Sequence, residues 1–489
     1  MQIALISFLS NSINTRILSA YLKKNGYAVT CYFCPDSFNV TNLNALVELL
    51  KEKNTSFTGV SLVTDDYIKA VQVTRAIKEH TNIPVIWGGA HVNIKPDESL
   101  RHADMICMGE GEEALLELVH QMSKPCNIDL NIKNIWFNTK DGIIKNELRS
   151  IEENLDRYPF PDFDFSSQYI MNESGFDAMS EKHLNSEYSI MTSRGCPYNC
   201  QYCYNSYRRK QYEGKGKYLR TRSINNVIEE LVEAKKQFKD LKEINFWDDS
   251  FVARKMEDFV VFKHEYKANI GLPFFALVEP MAFNALKIKV LRESGLTKLQ
   301  VGIQSGSERV NKDIYNRPVS NNKILEVVNS INNMGIDVIY DLIFNNPYET
   351  HDDLAETLNL LSQFPKPFKV QGYNLIFYPG TEITENALRD GYITLKTDSD
   401  DFSTIQGSTD SPTSLEMRGK AAVSGRFYAI NYDSKNKTYA NAVISLLALN
   451  HVPRAFFNYF ASSETSLKKL QLQLFYSLYT LTSKLKNKF

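Results

Sequence analysis

Three cysteines, Cys196, Cys200 and Cys203, lie in the stretch Ser193-Arg194-Gly195-Cys196-Pro197-Tyr198-Asn199-Cys200-Gln201-Tyr202-Cys203-Tyr204 with the spacing CxxxCxxC. Three thiolates so close, on a segment with a Gly, a Pro and an Asn and too irregular for a helix, can wrap one face of an iron–sulfur cubane. They then ligate three of its irons and leave the fourth open. A structural zinc site would need a fourth protein ligand nearby, yet the next cysteine toward the N-terminus is Cys126 and none follows Cys203. Other groups able to bind a charged or hydroxylated ligand sit at the ends of apolar runs: Asp248-Asp249, Gln304-Ser305, Glu279 and Asp341. Arg220 and Arg222 are candidate partners for carboxylates.

The elements that must position these groups read as two βα series. In the first, strands at 3–7, 29–33, 59–63, 85–87 and 105–108 alternate with helical periods at 15–25, 43–53, 67–80 and 112–122. This is the pattern of a doubly wound α/β (Rossmann-like) domain over 1–145. Its ligands are expected beyond the carboxyl ends of the strands, where the chain has Ser10, Ser61, Gly88-Gly89 and Gly109-Glu110-Gly111. A linker over 146–186 follows, with the irregular run Tyr158-Pro159-Phe160-Pro161-Asp162-Phe163-Asp164-Phe165, suited to docking on a surface. Over 187–389 six strands, at 188–191, 243–247, 274–278, 298–303, 337–342 and 370–377, predict a partial (β/α)6 TIM-like barrel with the cysteine loop after its first strand. Ser223 is placed to cap a helix over 226–238, and Thr350 to cap another. The rhythm stops near 390, and 390–489 reads as a mainly helical C-terminal region.

Composition excludes several classes. With 489 residues the chain exceeds one hydrophobic core, and 56 Lys plus Arg against 57 Asp plus Glu gives no basic field for nucleic acid. A small-molecule, peptide or lipid substrate is expected instead. The seven cysteines form no disulfide framework, and the first residues enter a strand without a leader, so a cytoplasmic, oxygen-sensitive protein is expected. No run of eighteen apolar residues spans a membrane. The tail, with Lys468, Lys469, Lys484, Lys486 and Lys488, suits either a helix packed on its own protein or peripheral contact with an anionic membrane.

The cysteine spacing, with the aromatic Tyr202 before the third cysteine, resembles the cluster loop of the radical S-adenosylmethionine (radical SAM) superfamily. The resemblance implies a 4Fe-4S cluster on Cys196, Cys200 and Cys203. Its open iron would chelate the amino and carboxylate groups of S-adenosylmethionine, and one electron, from a flavodoxin- or ferredoxin-type donor, would yield a 5'-deoxyadenosyl radical. Tyr202 would lie near the adenine. Phe246-Trp247-Asp248-Asp249-Ser250-Phe251 resembles the Asp-Asp form of the family's ammonium-binding motif, found in members with a cobalamin-binding domain. Val301-Gly302-Ile303-Gln304-Ser305-Gly306-Ser307 is similar to the family's Gly-Ile-Glu-Ser-Gly-Ser, with Gln304 in place of Glu, a carboxamide that still hydrogen-bonds a ribose hydroxyl. Asn345-Asn346-Pro347-Tyr348-Glu349-Thr350 departs from the usual Gly-Leu-Pro-Gly-Glu-Thr. Tyr378-Pro379-Gly380-Thr381 is at home in the family, with Pro379 at the adenine end.

The N-terminal series resembles the cobalamin-binding domain that precedes this barrel, in Val85-Ile86-Trp87-Gly88-Gly89-Ala90-His91 and in Gly109-Glu110-Gly111-Glu112-Glu113. The Asp-x-His-x-x-Gly of domains that coordinate cobalt is missing, the chain having Phe8-Leu9-Ser10-Asn11-Ser12-Ile13. His91 reads as a surface or loop histidine, so the resemblance implies cobalamin without a protein histidine on cobalt. A related group, the methylthiotransferases, places three widely spaced cysteines in this domain, a spacing that Cys31, Cys34, Cys107 and Cys126 lack. The function implied is a cobalamin-dependent radical SAM methyltransferase acting on an unactivated carbon or phosphorus centre. Two readings stand beside it: a radical cyclisation or ring rearrangement, and a non-enzymatic cobalamin-binding regulatory protein.

Overall fold

Short apolar runs bury both faces of the first sheet. In the computed structural model β1 (Gln2–Ser7), β2 (Ala28–Phe33), β3 (Phe57–Ser61), β4 (Val85–Gly88) and β5 (Met105–Cys107) are almost wholly buried, as parallel strands covered on both sides must be. The structure describes residues 1–124, 129–365 and 368–395, together with the strands at 415–417, 421–424 and 427–430. Helices α1 (Ile13–Lys24), α2 (Val40–Glu52), α3 (Tyr67–His80), α4 (Ala90–Ile94) and α5 (Pro96–Ser99) connect the five strands, and α6 (Glu112–Met122) follows the fifth. Ser12 caps α1 by accepting from Thr15 N, and Asn39 closes a capping box on α2. The strand order β5-β4-β3-β1-β2, parallel throughout, is the doubly wound arrangement expected.

Two hairpins that the sequence reading lacks extend this sheet. β6 (Ile135–Thr139) and β7 (Gly142–Lys145) add antiparallel to β5, while β8 (Gln168–Asn172) pairs with β2 and turns back into β9 (Gly175–Ala178). The second hairpin lies inside the segment read as a linker. Arg16 explains its attachment. Fully enclosed, it donates to Asp162 O at 2.9 Å and Gln168 Oε1 at 2.5 Å, with its guanidinium between the rings of Phe33 and Phe163 at 4.4 and 4.3 Å. The Pro- and Phe-rich run therefore does dock.

The chain divides into two compact units, residues 1–195 with 209–245, and residues 196–208 with 246–489. Next along the chain come β10 (Glu187–Ile190), β11 (Ser193–Arg194), α7 (Tyr204–Gln211), β12 (Arg220–Thr221), α8 (Ile224–Gln237), which Ser223 caps as expected, and β13 (Glu243–Phe246). They are followed by α9 (Met256–Asn269), β14 (Phe274–Val278), α10 (Ala285–Ser294), β15 (Leu296–Gln304), α11 (Asn321–Asn333), β16 (Asp337–Phe344), α12 (His351–Ser362), β17 (Lys369–Asn374) and α13 (Glu382–Arg389). The sheet order β10-β13-β14-β15-β16-β17 follows the chain, with β14 to β17 parallel, as a partial barrel requires. Thr350 caps α12 in a capping box with Asp353.

Beyond α13 the described backbone is strand rather than the expected helix. β18 (Ile393–Leu395), β19 (Leu415–Met417), β20 (Ala421–Ser424) and β21 (Phe427–Ile430) form an antiparallel sheet. The short Val- and aromatic-bearing runs at 421–430 suit strands. Residues 431–489, including the basic tail, lie outside the described residues. Among the described residues no helix is long and apolar enough to cross a membrane.

Replacing Arg16 by Ala leaves Gln168 Oε1 without its donor, removes one of the two hydrogen bonds to Asp162 O and removes both ring contacts. The expected cost is about 3 kcal/mol, read as a lowered midpoint in chemical denaturation.

Candidate functional site

The cysteine loop leaves β11 through Gly195, whose φ is +86° and where a Cβ would stand 2.6 Å from Tyr218 O, so glycine is required. The loop's backbone is pinned at several points within the second unit. Gln201 N donates to Tyr315 O at 3.0 Å, Asn316 Nδ2 to Asn199 O at 2.9 Å, and Ile383 N to Gln201 O at 3.3 Å. A turn closes from Cys203 N to Cys200 O at 3.0 Å, and Ser206 Oγ donates to Cys203 O at 2.7 Å. All three thiols are free. Cys200 is buried, the other two are half-buried, and burial pushes Cys196 and Cys203 up to about 12 and Cys200 to about 11. They are therefore thiols at neutral pH, and metal must displace their protons. Among the described residues no three His, Cys, Asp or Glu side chains converge on a single metal ion. Thiolates that each hold a different iron of a cubane do not converge in that way, so the donor set suits a cluster.

Asp248 and Asp249 divide their tasks. Asp248 is fully enclosed, whereas Asp249 is exposed and hydrogen-bonds Asn205, two residues past Cys203. At the end of β15, Gln304 takes a left-handed φ of +68°. Its carboxamide lies over Gly302, where a Cβ would come within 2.5 Å of Nε2 and 3.1 Å of Glu279 Oε1. Ser305 is buried, and its side chain is committed to the fold: Oγ donates to Glu349 Oε1 at 3.2 Å and lies 3.3 Å from Thr357 Oγ1. Tyr202 packs edge-on against Tyr315 with centroids 4.9 Å apart. Pro379 precedes Gly380, whose φ is +79° and whose Cα side meets the ring of Tyr207, where a Cβ would stand 2.4 Å away.

The sequence reading assigned no partners to Glu279 and Asp341 and did not single out Arg317. The structure ties Arg317 to Glu279. Arg317 is fully enclosed, donates to Gly302 O at 2.6 Å and Ile303 O at 3.0 Å, pairs with Glu279, and hydrogen-bonds Cys200. It follows a single π-helical turn at Val310–Ile314, a distortion that frequently marks functional sites. The stretch Tyr315-Asn316-Arg317-Pro318 was the available signal. Asp341, on β16, accepts from Gln300 Nε2 at 2.7 Å through Oδ2, while its buried Oδ1 has no hydrogen-bond partner among the described residues. Burial, with the charge of Glu279, raises its carboxyl to about 6.

In the first unit the expected residues gather at the carboxyl ends of adjacent strands. Register pairs Ser7 with Ser61 and Ser61 with Gly88, next to the point between β1 and β3 where the sheet's growth reverses. A Cβ at Gly89, with φ +103°, would stand 2.4 Å from Leu62 O, and one at Gly109, with φ +78°, 2.3 Å from Tyr212 Oη. Gly111 and Ser10 are half-buried at the same ends. Leu9 and Val63, 56% and 42% exposed, present apolar surface there. Small backbone and exposed apolar side chains fit a large flat ligand such as a corrin.

The Glu110 carboxylate is engaged by Arg220 at 2.5 Å and Arg194 at 3.2 Å, a pairing that the sequence reading lacks. One reading needs correction. His91 is fully buried beside Tyr67 with centroids 4.9 Å apart, and burial lowers its pKa to about 3. It is therefore a neutral core histidine rather than a surface or loop one. Arg222 pairs with Glu230 at 2.5 Å, to which Tyr188 Oη donates at 2.9 Å. Cys31 and Cys34 are buried, with both thiols pushed up by burial, and are inert.

A family profile described as the Radical SAM superfamily matches residues 190–361, and one described as the B12 binding domain matches residues 3–119. An uncharacterised methyltransferase of Pyrococcus horikoshii is 26% identical over 353 residues, 70% of this chain and 72% of that protein. Bacteriochlorophyllide d C-8(2)-methyltransferase of Chlorobaculum tepidum is 22% identical over 356 residues, 69% of each. Among solved structures, the radical S-adenosylmethionine methyltransferase TsrM of Kitasatospora setae, with cobalamin and a [4Fe-4S] cluster bound, shares the fold. Its TM-score is 0.67 at 13% identity, covering 98% of this chain and 99% of that one.

Glu349 provides a pH test of the Ser305 arrangement. Burial raises its carboxyl to about 8, so it is protonated at neutral pH. A raised acid contributes stability that is complete below the unfolded value of about 4.3 and is lost as pH rises through the folded one. The unfolding free energy of the wild type should fall between about pH 5 and pH 8 relative to Glu349→Gln, and parallel curves for the two proteins would refute the assignment.

Proposed function

This chain is a radical SAM superfamily protein with a B12 binding domain ahead of its barrel, and on that premise we propose that it methylates an unactivated carbon or phosphorus centre of a small molecule. The observation that supports this best is the coexistence of two sites in one chain: three thiols, one buried and two half-buried, beside Asp249 and Glu279, and a doubly wound sheet whose strand ends are open and glycine-lined. When bound, the cluster and S-adenosylmethionine supply a 5'-deoxyadenosyl radical, and cobalamin supplies the methyl group.

The residues of the chain divide the remaining work. Cys196, Cys200 and Cys203 hold the cluster, and Arg317 offsets the charge that builds at Cys200 when its proton leaves. Asp249 is the exposed acceptor for the ammonium of S-adenosylmethionine, with Asp248 enclosed behind it. Gln304 and Oδ1 of Asp341, unpartnered among the described residues, suit the ribose hydroxyls. Tyr202 and Pro379 border the adenine end. Ser10, Ser61, Gly88, Gly89, Gly109 and Gly111 line the corrin site, and no histidine in residues 8–13 reaches for cobalt. The electron comes from a flavodoxin- or ferredoxin-type donor in the cytoplasm, in keeping with six free thiols among the described residues.

The test is anaerobic reconstitution with iron, sulfide and hydroxocobalamin, followed by desalting and metal and corrin analysis. One corrin beside a four-iron cluster, with S-adenosylhomocysteine formed on turnover, is the expected result. Iron without corrin overturns the methyltransferase reading, and 5'-deoxyadenosine without S-adenosylhomocysteine points to rearrangement. Joint replacement of Cys196, Cys200 and Cys203 by Ala should abolish iron and leave corrin. Asp341→Asn should keep iron and weaken S-adenosylmethionine binding roughly tenfold, the loss of one charged hydrogen bond.

A further inference from the structure

Three aromatic rings on the inner face of the barrel have no part in the cofactor sites. Successive side chains on a strand point to opposite faces. On β14, Phe274, Ala276 and Val278 are buried, and Phe274 packs on Phe262 and Tyr266 of α9 with centroids 5.8 and 5.1 Å apart. Phe275 and Leu277 therefore face inward. Trp247, directly after β13 and directly before Asp248-Asp249, stacks obliquely on Phe275 at 5.3 Å and 55°, yet 44% of its surface stays exposed. On β17, Tyr373 is 41% exposed, and its hydroxyl accepts from Gln300 Nε2 at 3.3 Å.

Contacts across the inner face link these groups. Leu277, two residues beyond Phe275 on the same face of β14, pairs with Gln300, whose Nε2 reaches up to the Tyr373 hydroxyl. The inner face thus has an indole directly after β13, a phenyl ring on β14, and an amide with a phenol on β15 and β17. Leaving a large ring wet forfeits roughly 2 kcal/mol of burial. Here the wet ring is held against a second aromatic on rigid strands, next to the acceptor proposed for S-adenosylmethionine. Ligand pockets combine apolar aromatic walls with a few placed polar groups in this way.

We propose that Trp247, Phe275 and Tyr373 form the substrate surface and that the substrate is a planar, unsaturated molecule with a hydrogen-bonding group on its edge. The ring system lies against Trp247 and Phe275, and the edge group meets the Gln300 amide and the Tyr373 hydroxyl. The inference rests on the barrel being the site of radical chemistry.

The experiment uses the full chain carrying cluster and S-adenosylmethionine, titrated calorimetrically with quinoline and with its saturated counterpart decahydroquinoline. Quinoline is expected to bind at least tenfold more tightly. Trp247→Leu should weaken quinoline about tenfold, the worth of one good aromatic pair, and Trp247→Phe should restore most of it. Iron content and S-adenosylmethionine binding, measured on the same samples, report whether each variant is intact. Equal binding of the two compounds, or an intact Trp247→Leu variant that binds quinoline like the wild type, overturns the proposal. Quinoline discrimination in a protein that fails to cleave S-adenosylmethionine under dithionite would instead overturn the function and leave the aromatic surface standing. Cleavage without discrimination does the reverse.

Discussion

A guanidinium sealed from water controls the geometry around the cysteine loop. Arg317 stays charged at any accessible pH, and enclosing it is costly unless it is paired and hydrogen-bonded. Here the carbonyls of Gly302 and Ile303, the Glu279 carboxylate and Asn311 Oδ1 occupy its two terminal nitrogens, while Nε has no hydrogen-bond partner among the described residues. Those acceptors belong to the end of β15, the end of β14 and the π-helical turn, so one ion fixes three segments. The residues just before it, Tyr315 and Asn316, hydrogen-bond the cysteine loop. Loop, strand ends and charge are thereby tied together by bonds within the chain.

The same logic of strand ends operates in both units. Parallel strands buried on both faces spend their apolar residues on helices, and the chain becomes small, polar or irregular only where each strand stops. In the first unit those stops are Ser61, Gly88 and Gly109, with Leu9 and Val63 left exposed. In the second they are Asp248-Asp249, Glu279 and Gln304. Other charge is cancelled locally: Glu110 by Arg194 and Arg220, Glu230 by Arg222, Asp353 by Arg309.

Much of this was legible from local pattern. Strand and helix periods placed nearly every element within a few residues, because runs such as Ile3-Ser7 and Tyr67-His80 carry their burial in their own spacing. Caps at Ser223 and Thr350 were legible for the same reason. The hairpins at 135–145 and 168–178 were missed since their strands are half-exposed and one pair lies in a Pro- and Phe-rich context. His91 was misjudged because Tyr67, Trp87 and His102, which crowd that corner, come from other elements.

By itself the sequence determined the chemistry on offer: CxxxCxxC, paired aspartates, and two βα rhythms to hold them, all set by spacing within a dozen residues. Only the tertiary structure decided which groups are available. It turned Ser305 into the fold, paired Glu110 with two arginines, left Asp341 Oδ1 unpartnered among the described residues, and brought Arg317 to Cys200 across more than a hundred residues of chain. Burial and pairing are properties of neighbours in space, and a linear pattern carries no record of neighbours that distant.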